Sequence, residues 1–386
     1  MSFTKPDLGV VFWPVGTGDS STVFIKDKTI QIDLHNMSKA VDEDEPYVEI
    51  VEELKNSLPK KSDKPFLDVF ILTHADLDHV KGFGELLKAV DIGEIWCTPR
   101  VFQESFTDLG EEAYQFKKEA ERRVKLLGDK ELKEGDRIKV IGYAGILDSG
   151  KYDDILTKEV ITIPGEAVTT FNEVDLGGEI EVFVHSPFKY ELEKEERNET
   201  SIGFQLTLKS GDKKGKFLFL GDLSYETLKK VFETSQGNNE ESIDFNVMLA
   251  PHHCSKKVMF LRSDDKKDEF QSDIMEMISK AMLDGGYIIS SSEAFRNEDK
   301  DGDNPPHIKA KKKYLTILDS NDNFLCTQEH PNKESPEPIV FSVDNNGFTY
   351  DGKSSKSKRE SVDSALKKSL GVSAGHTSQV GHGFKC

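Results

Sequence analysis

The sequence predicts a layered α/β protein whose functional site lies at strand ends. Three observations point there. Short apolar segments alternate with amphipathic ones along most of the chain. Several of the apolar segments run directly into His and Asp clusters. Hydrophobic residues (36%) and charged residues (31%) over 386 positions supply a core inside a water-soluble body. In such sheets ligands collect where strands end, because loops from neighbouring strands converge there.

Residues 8–34 read as short strands: an apolar run through Val10, Val11, Phe12 and Trp13, a turn at Gly16-Thr17-Gly18-Asp19, then segments at 21–26 and 29–33. Residues 46–58 read as a helix. Residues 66–72 form a near-continuous apolar run, as expected for a strand covered on both faces, and lead straight into His74-Ala75-Asp76-Leu77-Asp78-His79. A helix begins after Gly82. Residues 104–128, rich in Glu, Lys, Arg and Ala, read as an exposed amphipathic helix. Residues 129–178 mix turns with short β runs and read as an insertion or edge subdomain. Strands resume at 180–185, 201–208 and 216–220, the last ending in Gly221-Asp222. Then follow a helix at 224–235, a strand at 244–250, a helix at 268–283, a strand at 287–290, and a hairpin turning at Asp344-Asn345-Asn346-Gly347.

Residues 351–386 carry seven basic residues against three acidic ones and few bulky apolar side chains. Such a segment cannot offset its ordering entropy by burial, so a disordered tail is expected, ordered only by a protein partner. The formal charge of −19 excludes a broad basic face for nucleic acid; a polyanionic substrate has to be held locally or through metal ions. Four cysteines, Cys97, Cys254, Cys326 and Cys386, form no Cys-x-x-Cys pair, which argues against a disulfide framework or zinc ribbon. No apolar run approaches the roughly 18 residues of a spanning helix, and no secretory signal is visible. The expectation is a cytoplasmic protein with no membrane association.

His74, Asp76, Asp78 and His79 put four ligand types within one short turn behind a buried strand, a pattern packing seldom demands. Asp222, the pair His252-His253, and His307 each follow other strands. Taken singly these are ordinary: an Asp after a strand commonly caps a turn or helix, and a His pair is often a satisfied core feature. His185, beside Ser186-Pro187, reads as structural. Taken together they predict a site for divalent metal. Three carboxylates among the ligands make it hard enough for manganese to compete with zinc.

The His74–His79 run resembles the signature His-x-His-x-Asp-His of metallo-β-lactamase-fold hydrolases. Asp76 stands where the common pattern has His, as in the soluble hydrolase domain of the competence DNA-uptake protein ComEC. Val15-Gly16-Thr17-Gly18-Asp19-Ser20, Asn198-Glu199-Thr200-Ser201, Phe217 to Asp222, and Ala250-Pro251-His252-His253-Cys254-Ser255 resemble further motifs of that subgroup, in order. The likeness runs over about residues 8–315, with 100–178 unmatched. Three departures stand out: His35 and Cys254 replace usual glycines, and Asn198 lies near where the wider superfamily has a third-motif His.

The resemblance implies an αββα sandwich spanning residues 1–350, elaborated over 100–178. It implies Asp222 as the ligand bridging two cations, His74 and Asp76 on one of them, and Asp78, His79 and His307 near the other. His252 or His253 would complete a metal or protonate a leaving group, so Asp78, His252 and His253 are the expected catalytic set. Asp19 and Asp33 would orient ligands, and Asn198 would leave one metal with fewer protein donors. Lys256, Lys257 and Lys311 are expected to form a positive rim for the substrate. The implied function is a phosphodiesterase, a nuclease acting on DNA or RNA. The alternatives are hydrolysis of a small ester, lactone, amide or cyclic nucleotide, and an effector subunit active only with a partner protein.

Overall fold

The structure is a computed structural model that describes residues 4–37, 47–103, 110–143, 155–157, 159–194, 196–265 and 267–352. The expected tail, apart from its first two residues, and the first part of the helix expected at 104–128 lie outside the described residues. Contacts group the chain into Met1–Thr349 and a second unit, Tyr350–Cys386.

Among the described residues two sheets dominate. The first runs Gly347–Tyr350, Ile339–Asp344, Leu8–Phe12, Ser21–Ile25, Lys28–Ile32, Lys64–Ile71, Asp91–Cys97, Arg137–Ile141 and Ile161–Thr162. The second runs Ala167–Val168, Ile180–Ser186, Gly203–Ser210, Lys213–Phe219, Phe245–Leu249, Met282–Ser290 and Phe324–Cys326. Both begin with antiparallel meanders and turn parallel towards one side.

Strand alternation sorts the side chains into layers. Val11, Trp13 and Phe24 face outward into a core shared with the helices Ile50–Ser57, Phe83–Ala89 and Glu111–Gly128. Phe12 faces the other way and stacks on Phe219 of the second sheet, ring centroids 6.0 Å apart; Phe217 meets Phe341 edge-on at 6.3 Å. Leu218 and Leu220 alternate with those phenylalanines and pack under the helices Tyr225–Asn238, Ser272–Ala281 and Ile308–Tyr314. The order of layers is therefore helix, sheet, sheet, helix, the expected αββα sandwich.

Three features add to the expected arrangement. The strand Asp91–Cys97, which the apolar-run reading passes over, pairs in parallel with Lys64–Ile71 and sets Trp96 opposite Ile71. Within residues 129–178, Arg137–Ile141 and Ile161–Thr162 add parallel strands at the edge of the first sheet. The helix Glu111–Gly128 is exposed on one face only. Its Ala113, Phe116, Ala120 and Val124 are buried, and buried Arg123 donates to the carbonyls of Ile92 (2.9 Å), Gly93 (3.2 Å) and Arg137 (2.8 Å).

Parallel pairing aligns the strand ends. Ile32 pairs with Ile71, Leu218 with Met248, and Leu249 with Ile289. The residues just beyond them, 33, 72–79, 220–222, 250–254 and 290–293, therefore emerge together at one edge of the sandwich.

Candidate metal centre

Asp222 is the hub. Its Oδ1 lies 3.2 Å from His79 Nε2 and 3.6 Å from His253 Nε2; its Oδ2 lies 3.8 Å from His74 Nε2 and 3.6 Å from His252 Nε2. Gly221 makes this approach possible. It takes φ +50°, and a Cβ there would sit 2.6 Å from Ser201 Cβ. The Asp222 backbone N–H donates to Ser201 Oγ (3.2 Å), and that hydroxyl donates to the Asn198 carbonyl (2.6 Å). Asn198 thus supports Asp222 through its backbone.

The histidines are held from behind. Asp33 Oδ2 lies 2.8 Å from His79 Nδ1, and Asp33 also accepts the Thr73 backbone N–H (2.7 Å) and hydroxyl (2.6 Å). His253 Nδ1 faces Asp19 Oδ1 (3.3 Å) and the Ser291 carbonyl (3.2 Å). Asp78 Oδ2 reaches His253 Nε2 at 3.2 Å. A buried relay steadies the base of the site: Trp13 donates to Thr22, Thr22 to Gln31, and Gln31 to Ser20 Oγ and the Asp33 carbonyl. Backbone strain concentrates here as well, with left-handed φ at Asp33 (53°), His252 (51°), His253 (52°) and Cys254 (64°). Cys254 therefore stands where glycine would be unstrained. The other departure is matched by a neighbour: His35 lies over Gly18, where a Cβ would come within 2.1 Å of its Nδ1.

The donor set fits a cation. Single donor atoms of Asp19, His79, Asp222 and His253, all buried, lie within 4.8 Å of one another. The Nε2 atoms of His74, His79 and His253 and Oδ1 of Asp222 are buried without a hydrogen-bond partner. Such orphaned polar atoms are costly unless something binds them. Burial opposes charge on His79, yet Asp222 and Asp33 outweigh it and hold its pKa well above the usual value; Asp222 and Asp19 do the same for His253. For Asp222, burial is outweighed by His253 and His79, and its carboxyl lies well below the usual range. Burial pushes His74 down to about 3. The carboxylates that draw protons onto these rings would equally draw a divalent cation.

A cleft of about 690 Å³ opens onto this hub, reaching Asp78, His252 and His253. Its far wall comes from Glu293, Arg296, Asp299 and Asp303, none of which the sequence motifs mark. Ser291 and Glu293 had a findable signal, since they follow a buried strand as the other site residues do. Residues 296–303 form an irregular loop with no motif.

Comparisons with known proteins come to little in sequence. No family model matches the chain, and no characterised protein matches it. Solved structures that resemble it are metallo-β-lactamase-fold proteins. YhfI from Bacillus subtilis is 11% identical, with a TM-score of 0.36, over 86% of this chain and 99% of that one. The subclass B3 metallo-β-lactamase BJP-1 of Bradyrhizobium japonicum is 15% identical, TM-score 0.30, over 68% and 83%. The class B3 di-zinc metallo-β-lactamase LRA-12 from an Alaskan soil metagenome is 12% identical, TM-score 0.33, over 71% and 89%. Likeness this slight transfers no property of those proteins to this chain.

Several expected site residues lie elsewhere. His307 is away from the hub: its Nδ1 accepts the Lys256 backbone N–H (3.2 Å) and its Nε2 faces the Asp303 carbonyl (3.1 Å), a use of both nitrogens that locks the start of the helix Ile308–Tyr314. His253, beside Asp78 and Asp222, takes the place expected of His307. Asp76 Oδ1 lies 3.4 Å from Arg197 and, like the hub atoms, is buried without a hydrogen-bond partner. The lysine rim forms elsewhere too: Lys256 pairs with Asp268 (2.9 Å), Lys311 with Glu329 (3.2 Å), and Lys257 is exposed in the turn after Ser255. Neither Lys256 nor Lys311 lines the main cleft, because each is drawn to the nearest carboxylate. His185 is buried and satisfied between Ser242 O and Ser235 Oγ, both at 2.9 Å, as the structural reading expects.

Proposed function

We propose that the protein is a metal-dependent hydrolase of phosphodiesters, using two divalent cations held about Asp222. The observation that carries this reading is the flanking of one buried carboxylate by four imidazole Nε2 atoms, two beside each oxygen. When bound, such a cation pair supplies Lewis acidity and an activated water nucleophile. The mixed carboxylate and imidazole donors suit zinc or manganese.

The chain's own residues have separable tasks. Asp33 keeps the His79 proton on Nδ1 and leaves Nε2 free to ligate, as Asp19 and the Ser291 carbonyl do for His253. His252 lines the cleft with its Nε2 3.6 Å from Asp222 Oδ2, where it would complete the donor set on the cleft side. Asp78, beside His253 on the cleft wall, orients the incoming group.

The motif resemblance to the ComEC hydrolase domain supports a phosphodiester substrate. The cleft favours a small diester, a cyclic nucleotide or a chain end, over a duplex laid across the face. Asp78, Glu293, Asp299 and Asp303 stand against Arg296 and the imidazoles of His252 and His253 on its walls, and would repel phosphates not neutralised by the metal ions.

The test is elemental analysis of the purified protein, paired with hydrolysis of bis(p-nitrophenyl) phosphate, cyclic nucleotides, oligonucleotides and a lactone, with and without EDTA. Bound divalent metal and EDTA-sensitive diester cleavage support the proposal. Metal-free protein, or turnover confined to the lactone, overturns it.

A further inference from the structure

We propose that a second, basic cleft beside the metal centre binds phosphate groups of the ligand whose diester is cleaved. Its ligand class rests on the phosphodiester reading above. The cleft has a volume of about 410 Å³ and is lined by Lys256, Arg262, Lys267, Lys300 and Lys309. Only Asp268, Asp299 and Asp301 oppose them, on a chain whose formal charge is −19. Within this cleft five cations therefore face three carboxylates, opposite to the acidic balance of the chain.

The geometry suits an anion. Lys256 and Lys309 converge on one oxygen, Asp268 Oδ2, at 2.9 and 2.8 Å, which shows that two ammonium groups can meet on a single acceptor there. Arg262 makes a paired contact with Asp301 at 2.7 and 3.1 Å, the fork geometry that also fits phosphate. Lys267 and Lys300 are exposed, and among the described residues neither makes an ion pair.

Asp299 adds least to the opposing charge. Both its oxygens are committed to backbone N–H groups, Ile308 at 2.7 Å and Lys309 at 2.9 Å. The same residue lines the main cleft, so the two clefts adjoin at Asp299.

The experiment is fluorescence anisotropy of a labelled thymidine dodecamer, with and without a 5′-phosphate, bound to the full chain in EDTA so that no cleavage occurs. Arg262→Glu and Lys300→Glu, both at exposed positions, should each raise Kd at least tenfold and flatten the salt dependence, by about 0.7 in log–log slope for each phosphate no longer neutralised. Lys213→Glu, at the exposed first residue of the strand Lys213–Phe219, serves as the charge control and should change Kd less than twofold. Weakening seen only with the 5′-phosphorylated strand assigns the cleft to a terminal phosphate; equal weakening with both strands assigns it to backbone phosphates. Kd within twofold of the wild type for both cleft variants, or an equal weakening in Lys213→Glu, overturns the proposal. Wild-type turnover of bis(p-nitrophenyl) phosphate, measured separately, tells a failed cleft from a failed hydrolase reading.

Discussion

His79 Nδ1 lies 2.8 Å from Asp33 Oδ2, and this contact fixes which nitrogen His79 turns to the metal centre. Asp33 adopts φ 53°, a conformation Asn also tolerates. Asp33→Asn should therefore keep the fold while weakening divalent-metal affinity about 10- to 100-fold, the usual cost of losing such a partner. Competition with a chromophoric chelator measures it, and unchanged affinity would remove Asp33 from the support of the site.

Asp222→Asn takes the charge from between four imidazoles while preserving shape. Bound metal should fall below one ion per chain, and diester hydrolysis should drop to background, with an unchanged circular dichroism spectrum. Full metal content in this variant would contradict the bridging role.

Asp76→His breaks the contact with Arg197 and sets an imidazole in the small cavity that Asp76 lines together with His74. Because imidazole is softer than carboxylate, zinc should gain over manganese in a two-metal competition. An unaltered ratio would show that residue 76 does not reach the cations.

His185 provides a pH test away from the metal centre. Burial lowers its pKa from 6.5 to about 4. Above pH 6.5 both folded and unfolded forms are neutral there, and the stability is fully present. As pH falls from 6.5 towards 4 the unfolded chain takes up a proton that the folded one refuses, so stability declines. Between pH 7 and 5 the wild type should lose about 2 kcal/mol more than His185→Gln, by urea titration. Parallel profiles for the two proteins would sink this assignment.

Arg123→Ala should cost about 3 kcal/mol, because it leaves three backbone carbonyls without their donor. Thermal unfolding measures it. A change under about 0.5 kcal/mol, typical of surface substitutions, would mean that the helix Glu111–Gly128 is not anchored there.

Much of the fold was legible because strands covered on both faces write themselves as apolar runs. Residues 66–72 and 216–220 are such runs, and both lie within or against observed strands. Asp91–Cys97 escaped, since Asp91, Gly93 and Glu94 interrupt its apolar residues. Glu94 is buried all the same, held by the Trp96 indole at 2.5 Å and the Asn172 backbone N–H at 2.7 Å, partners that no local pattern announces.

By itself the sequence determined the layered α/β class, the residue types of the centre and their positions behind strands, because each is a local property of adjacent residues. Only the tertiary structure decided which of them meet. The register Ile32–Ile71 and Leu218–Met248 brings Asp33, His79 and Asp222 to one edge, although they are far apart in the chain. His307 looked equivalent on spacing alone. The backbone N–H of Lys256 and the carbonyl of Asp303 claim its ring, and a buried imidazole whose two nitrogens are already satisfied has none left for a metal.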